Sequence, residues 1–100
     1  MPATDDWHLY LLDCDGRLYT GISTDPERRL LEHRAGGMRG ARFTRGASHL
    51  ELLWQVRIGD RSEAQRAEYK LRRLKRGEKL AIIRNAPSWK DLEVILYGNE

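Results

Sequence analysis

The dipeptide Asp15-Gly16, set between two runs of strand-forming residues, is the feature that most limits how this chain can fold. A two-residue turn of type I′ needs positive φ at both central positions, which glycine adopts freely and aspartate tolerates. The flanking runs, residues 7–14 and 17–22, are rich in residues that favour strands. The pattern therefore predicts an antiparallel hairpin.

This turn also fixes which residues lie opposite one another in the hairpin. Leu12 then faces Tyr19, and Tyr10 faces Gly21. Because directly opposed residues share a face of a sheet, both tyrosines lie on one face beside Gly21. Two tyrosines with hydrogen-bonded hydroxyls are also common in ordinary cores, so this pair alone does not indicate a functional site.

A helix is predicted directly after the hairpin. Asp25 is a good N-cap, and Pro26 suits the first helical position because its missing N–H has no partner to lose there. Thr24 with Glu27 forms an alternative capping box, which moves the start by one residue. In either case the helix is expected to run to about Arg34 and to end at the glycines that follow.

The rest of the chain alternates between a loop, a strand and further helices. Residues 35–49 contain four glycines and predict a loop. The later elements are a strand over 50–58, a helix from Ser62 to about Arg76 followed by Gly77, a short helix over 79–84 and a terminal helix over 88–97. This order predicts an α/β fold with a small antiparallel sheet.

Two of these helices carry polar residues suited to chemistry. Arg29 and His33 are four positions apart and so share one face of the first helix. Glu68 interrupts or borders the apolar stripe of the long helix, and a carboxylate near a core is costly unless it is paired or binds a metal. An ion pair with Arg72 is the alternative that gives Glu68 only a structural role.

Basic residues are concentrated in two stretches, although the net charge is only +3. Residues 33–50 contain four arginines and no acid, and residues 66–79 contain seven cations and two glutamates. Such stretches suit a polyanionic partner, although a solvated basic surface is the alternative. We assign five of these side chains to nucleic-acid binding: Arg39, Arg42, Arg45, Lys70 and Arg73.

Several classes of protein are excluded by simple features of the sequence. No apolar run approaches the ~20 residues that a membrane helix needs, and the acidic start lacks the features of a secretory signal. We therefore predict a cytoplasmic protein with no membrane association. Cys14 is the sole cysteine, which excludes an internal disulfide and a cysteine-based zinc site.

In this order and spacing, the candidate residues resemble the GIY-YIG nuclease superfamily, and most closely its small stand-alone, YhbQ-like group. The resemblance spans roughly residues 7–84. The first triplet reads His8-Leu9-Tyr10 instead of Gly-Ile-Tyr, and Asn85 lies too far along the chain to be assigned to the site. The residues that carry the resemblance are Tyr10, Tyr19-Thr20-Gly21, Arg29, His33 and Glu68.

The resemblance implies a GIY-YIG fold, in which a small three-stranded antiparallel sheet is flanked by helices. Residues 7–84 would form the nuclease domain, and residues 85–100 a C-terminal extension packed on it. The implied activity is metal-dependent hydrolysis of DNA, in repair or nucleic-acid processing, with one Mg²⁺ or Mn²⁺ per site held by Glu68. The implied catalytic residues are Tyr10, Tyr19, Arg29, His33 and Glu68.

The side chains also suit phosphodiester hydrolysis on chemical grounds. Arginine binds phosphate through two parallel hydrogen bonds, and a carboxylate is a preferred Mg²⁺ ligand. A tyrosine can orient or deprotonate a water if its pKa of ~10 is lowered locally. His33 could contact the phosphate or assist proton transfer, or be a plain surface histidine.

Two other functions are compatible with the sequence. The first is a nucleic-acid-binding module with weak or no activity that acts with repair partners, and the second is a protein-interaction domain. We expect the partner to be DNA, with single strands, duplexes and also RNA left open. We expect a monomer or a weak dimer, since no heptad pattern requires a stable one.

Overall fold

The computed structural model describes residues 5–35 and 47–98 of the 100-residue chain. Its three strands form one antiparallel sheet in the order β2-β1-β3, which confirms the predicted α/β fold. The described elements are β1 Trp7–Cys14, β2 Arg17–Ser23, α1 Pro26–Ala35, β3 Leu50–Gly59, α2 Arg61–Arg72, α3 Arg76–Asn85 and α4 Trp89–Tyr97.

The hairpin of β1 and β2 has the predicted turn and register. The two turn residues have positive φ angles of 52° and 89°. Leu12 pairs with Tyr19, and Tyr10 pairs with Gly21. The two tyrosines therefore lie on the same face of the sheet, as predicted.

Helices cover both faces of the sheet. Leu9 and Leu11 of β1 face α2 and α4, and the α2 residues in this core are the predicted apolar stripe. The opposite face of β1 carries Tyr10, which meets His33 of α1. The main core consists of Leu9, Leu11, Trp54, Ile58, Ala64, Ala67, Leu71, Ile82, Leu92 and Leu96.

The start of α1 follows the first of the two predicted alternatives. The Asp25 carboxylate accepts a hydrogen bond from the Arg28 N–H at 3.2 Å, and Pro26 is the first helical residue. An aspartate at this position satisfies one of the N–H groups that a helix leaves unpaired at its start. Asp25 thus caps the helix, and the alternative start at Thr24 is not used.

The predicted bounds of α2 are wrong at both ends. Its N-cap is Asp60, not Ser62, because the Asp60 carboxylate accepts a hydrogen bond from the Glu63 N–H at 2.8 Å. The helix ends at Arg72 and not near Arg76, and Gly77 lies inside α3 instead of following α2. A new helix begins here because the Glu78 side chain accepts from the Lys75 N–H at 3.0 Å.

The last helix packs on the core. Ser88 caps α4, and Leu92 and Leu96 are buried in the main core.

Most of the predicted loop, including Arg39, Arg42 and Arg45, lies outside the described residues. Over 5–35 and 47–98, no helix combines the length and hydrophobicity needed to cross a bilayer.

Candidate active site

Three aromatic side chains, those of Tyr10, Tyr19 and His33, meet between the sheet and α1 and are called here the aromatic cluster. The Tyr10 hydroxyl oxygen and His33 Nε2 are 3.3 Å apart. The Tyr19 and His33 rings meet edge to face with centroids 5.2 Å apart, and the two tyrosine rings are 6.4 Å apart. Tyr10 and His33 are each only 1% exposed, whereas Tyr19 is partly exposed. Tyr19 is therefore the member that solvent or a substrate can reach.

Gly21 makes room for the Tyr10 ring. A Cβ atom at position 21 would collide with the hydroxyl end of that ring. The phenol therefore occupies the space that the absent side chain leaves on β2. This explains in physical terms why a glycine follows Thr20, and why it lies directly opposite Tyr10.

Arg29 reaches the aromatic cluster from the same helix as His33. Its guanidinium pairs with the Glu32 carboxylate at 3.1 Å and is close enough to the Tyr10 hydroxyl to act on the pKa of that group, which it lowers against the effect of burial. It also lines a polar pocket of about 200 Å³ at the start of α1. Glu32 was not among the predicted site residues, although its place three positions after Arg29 was a readable signal for an ion pair.

Burial decides the protonation states in the cluster. It raises the pKa of Tyr10 and of Tyr19, and although the Arg29 charge opposes this rise, burial prevails. Burial, with a further contribution from Arg29, lowers the pKa of His33 to about 4. At neutral pH Tyr10 therefore keeps its proton and shares a hydrogen bond with the Nε2 atom of a neutral His33. The lowered tyrosine pKa that a base role requires is not found.

Glu68 belongs to the helix on the opposite face of the sheet. Its carboxylate pairs with Arg72 at 3.0 Å, so the ion pair considered as an alternative is present. Glu68 nevertheless adds to the raised pKa of both tyrosines, and Arg72 opposes that rise at Tyr19. Glu68, and at Tyr19 also Arg72, are therefore electrostatic neighbours of the tyrosines, acting from α2.

The donor set at Glu68 suits one kind of metal ion. Among the described residues, no three His, Cys, Asp or Glu side chains come together as a metal-binding group. A single carboxylate that is only 21% exposed matches Mg²⁺, which is bound through one or two carboxylates with waters and substrate phosphates completing the shell. It does not match zinc, which takes three or four protein ligands.

The two described cations assigned to nucleic-acid binding lie elsewhere on α2. Lys70 and Arg73 are two and five positions after Glu68, which places them on another face of the helix. The Lys70 Nζ lies 5.8 Å from the ring centroid of Tyr97, and the Arg73 guanidinium lies 5.2 Å from that of Tyr69. The structure thus brings together Tyr10, Tyr19, Arg29 and His33, and it places Glu68 within electrostatic reach of the two tyrosines. It sets Lys70 and Arg73 apart.

Comparison with known proteins gives consistent matches. The family model described as the GIY-YIG catalytic domain matches residues 6–81. A UPF0213 protein of Yersinia enterocolitica is 46% identical over 82% of this chain and 84% of its own length. A UPF0213 protein of Cupriavidus necator is 42% identical over 88% of this chain and 95% of its own. The solution NMR structure of a UPF0213 protein from Bacillus halodurans is 34% identical, covers 78% of this chain and 82% of that one, and has a TM-score of 0.48.

Proposed function

Because this chain belongs to the GIY-YIG family, we propose that it is a metal-dependent nuclease that hydrolyses phosphodiester bonds in DNA. The observation that carries the proposal is the convergence of Arg29 and Glu68 on two tyrosines. An arginine, a carboxylate and a partly exposed phenol are the groups that this hydrolysis requires. A role in DNA repair or nucleic-acid processing is part of the proposal and rests on family membership.

The proposed roles follow from exposure. Arg29 binds the scissile phosphate, since its guanidinium reaches both the polar pocket and the cluster. Tyr19 orients the attacking water, because it is the partly exposed phenol. Tyr10 and His33 are buried and act as positioning residues, with their hydrogen bond holding the tyrosine pair in place. In the net reaction water adds to phosphorus, and the departing sugar oxygen takes up a proton.

Glu68 is the proposed ligand for one Mg²⁺ or Mn²⁺ per site. When bound there, the cation supplies positive charge that stabilises the developing charge on the phosphate oxygens. The Glu68 carboxylate raises the pKa of both tyrosines in the protein alone, so neutralising it favours their deprotonation. If Tyr19 acts as a base, it would therefore need a cation at Glu68 to favour loss of its proton.

A cleavage assay tests the proposal with two variants of the same helix. End-labelled single-stranded and duplex DNA is incubated with wild type, Glu68→Gln and Glu63→Gln, each with Mg²⁺, Mn²⁺ or EDTA. We expect metal-dependent cutting that falls by at least about 100-fold in Glu68→Gln, since it loses the carboxylate that would hold the cation. Glu63→Gln makes the same change at an exposed position and is expected to stay within about twofold of wild type.

Cutting that survives in Glu68→Gln, or that persists in EDTA, would contradict the assignment of Glu68. Circular dichroism of each variant checks that the fold is intact. Mn²⁺ is included because it accepts the same oxygen ligands as Mg²⁺.

A second candidate is a nucleic-acid-binding module with weak or no activity. Two observations favour it: burial raises the pKa of both tyrosines, and Glu68 is engaged by Arg72. In that case wild type would bind DNA without cutting it under any metal condition. The same assay, read together with a binding measurement in EDTA, separates the two candidates.

A further inference from the structure

One exposed face of α2 carries a basic and aromatic stripe outside the candidate active site. Arg66, Tyr69, Lys70 and Arg73 are spaced three and four positions apart, so they project from the same side of the helix. This side is neither the buried stripe of α2 nor the side of Glu68. Tyr69 directly follows Glu68 in the sequence, and their side chains leave the helix about 100° apart.

Tyr69 is a large aromatic side chain that the fold leaves 58% exposed. The Arg73 guanidinium lies 5.2 Å from its ring centroid and donates a hydrogen bond to its hydroxyl at 3.3 Å. A guanidinium in this position favours a fixed ring orientation through cation–π attraction. The result is an aromatic platform in water with a positive charge beside it.

The C-terminal helix extends this face. Tyr97 of α4 lies with its ring 4.5 Å from the Arg66 guanidinium and 5.8 Å from the Lys70 Nζ. The Tyr97 ring also packs edge to face on Trp89 at 6.3 Å, which anchors it to the fold. Tyr97 therefore contacts two cations of this face, and it does so from a helix outside the matched residues 6–81.

Three of the four α2 side chains on this face, those of Arg66, Lys70 and Arg73, are cations. Arg72 adds a further cation to α2. Burial is the main cause of the lowered pKa of Lys79, and the positive charge of Arg72 lowers that pKa further. Glu93 of α4 lies one turn before Tyr97 and is the nearest acid by position along that helix. Positive potential with an exposed aromatic ring is the combination found in surfaces that bind single-stranded nucleic acid.

We propose that Arg66, Tyr69, Lys70, Arg73 and Tyr97, called here the tyrosine surface, bind single-stranded nucleic acid. A base stacks on Tyr69, and the cations contact the phosphates on either side. A single strand is favoured over a duplex because bases in a duplex already cover each other's faces, so only an unpaired base can stack on the ring. If the proposed nuclease function holds, this surface leads one strand to Glu68, one position away on the same helix.

Binding of the full chain to fluorescent oligonucleotides in EDTA tests this proposal without any cutting. The probes are a 15-nucleotide oligothymidylate and a 15-base-pair duplex, followed by fluorescence anisotropy. Tyr69→Leu keeps an apolar side chain but removes the ring, and we expect it to weaken single-strand binding by about tenfold. Tyr69→Phe keeps the ring and is expected to bind within about twofold of wild type.

Duplex binding is expected to change by less than about twofold in both variants, since no base stacks on Tyr69 there. The proposal is overturned if wild type does not bind the single strand, if Tyr69→Leu binds it as wild type does, or if Tyr69→Leu weakens both probes equally. Because binding is measured in EDTA, these results are separate from the cleavage assay. If wild type cuts DNA but Tyr69→Leu binds the single strand as wild type does, the nuclease proposal stands and this one is removed. If Tyr69→Leu loses single-strand binding but wild type cuts no DNA, this proposal stands and the nuclease proposal is removed.

Discussion

His33 is a buried side chain whose charged form the fold disfavours, and this has a measurable consequence. Its pKa is lowered to about 4 by burial and by Arg29, against an ordinary value of 6.5. Between pH 6.5 and 4 the unfolded chain therefore binds more protons than the native protein, so stability falls as the pH is lowered through this window. We expect the His33 contribution to cost about 3 kcal/mol of unfolding free energy by pH 4.

Urea unfolding of wild type and His33→Gln at pH 7, 5.5 and 4 measures this contribution. Glutamine stays neutral and can still accept from the Tyr10 hydroxyl, so the variant is expected to lose less stability on acidification than wild type does. The carboxylates titrate in both proteins, so their contributions to the pH dependence of stability cancel in the comparison. Equal pH dependence of the two proteins would show that His33 is not buried in its neutral form.

For the individual residues of the site, the sequence indicated which side chains meet, but it did not indicate their protonation states. Tyr10, Tyr19 and Gly21 followed from the hairpin register, because one turn fixes every pair across it. The spacing of Arg29 and His33 placed them on one face of a helix. The raised tyrosine pKa could not be predicted, since it depends on burial beneath α1, and no local pattern reports burial of that kind.

Among the elements, α2 shows how two competing local signals are resolved. Asp60 and Ser62 are both good N-caps by residue type, and the sequence predicted a helix that starts at Ser62. In the structure, the Asp60 carboxylate reaches the Glu63 N–H at 2.8 Å, so Asp60 caps the helix. The choice depends on where β3 ends, and a β-strand end is set by pairing with β1 and not by the helix sequence.

Alanine substitution distinguishes the two possible starts of α2. We expect Asp60→Ala to lower the unfolding free energy by about 1 kcal/mol, because it leaves a helix N–H without its capping partner. Ser62→Ala is the matched control and is expected to change stability by less than about 0.5 kcal/mol, since Ser62 lies exposed inside the first turn. Urea unfolding at neutral pH measures both, and a larger loss in Ser62→Ala would contradict the observed cap.

For the whole molecule, α4 decides whether the matched region and the C-terminal segment unfold together. The family model ends at residue 81, yet Leu92 and Leu96 of α4 are buried in the same core as Leu9 and Leu11 of β1. The sequence predicted that this helix packs on the domain, from its apolar spacing. It could not show that one core is shared, because shared burial is a property of the assembled layers.

Truncating one core side chain of α4 tests this sharing. Leu92 is fully buried, and we expect Leu92→Ala to lower the unfolding free energy of the whole chain by about 2–5 kcal/mol, because it leaves a cavity between α4 and the sheet. Val94→Ala removes apolar atoms from the same helix at a position that is 66% exposed, and is expected to cost less than about 0.5 kcal/mol. If α4 and the sheet form one cooperative unit, tryptophan fluorescence and far-ultraviolet circular dichroism follow a single transition that moves to lower urea in Leu92→Ala. Separate transitions, of which only one moves in Leu92→Ala, would instead make α4 an independent appendage.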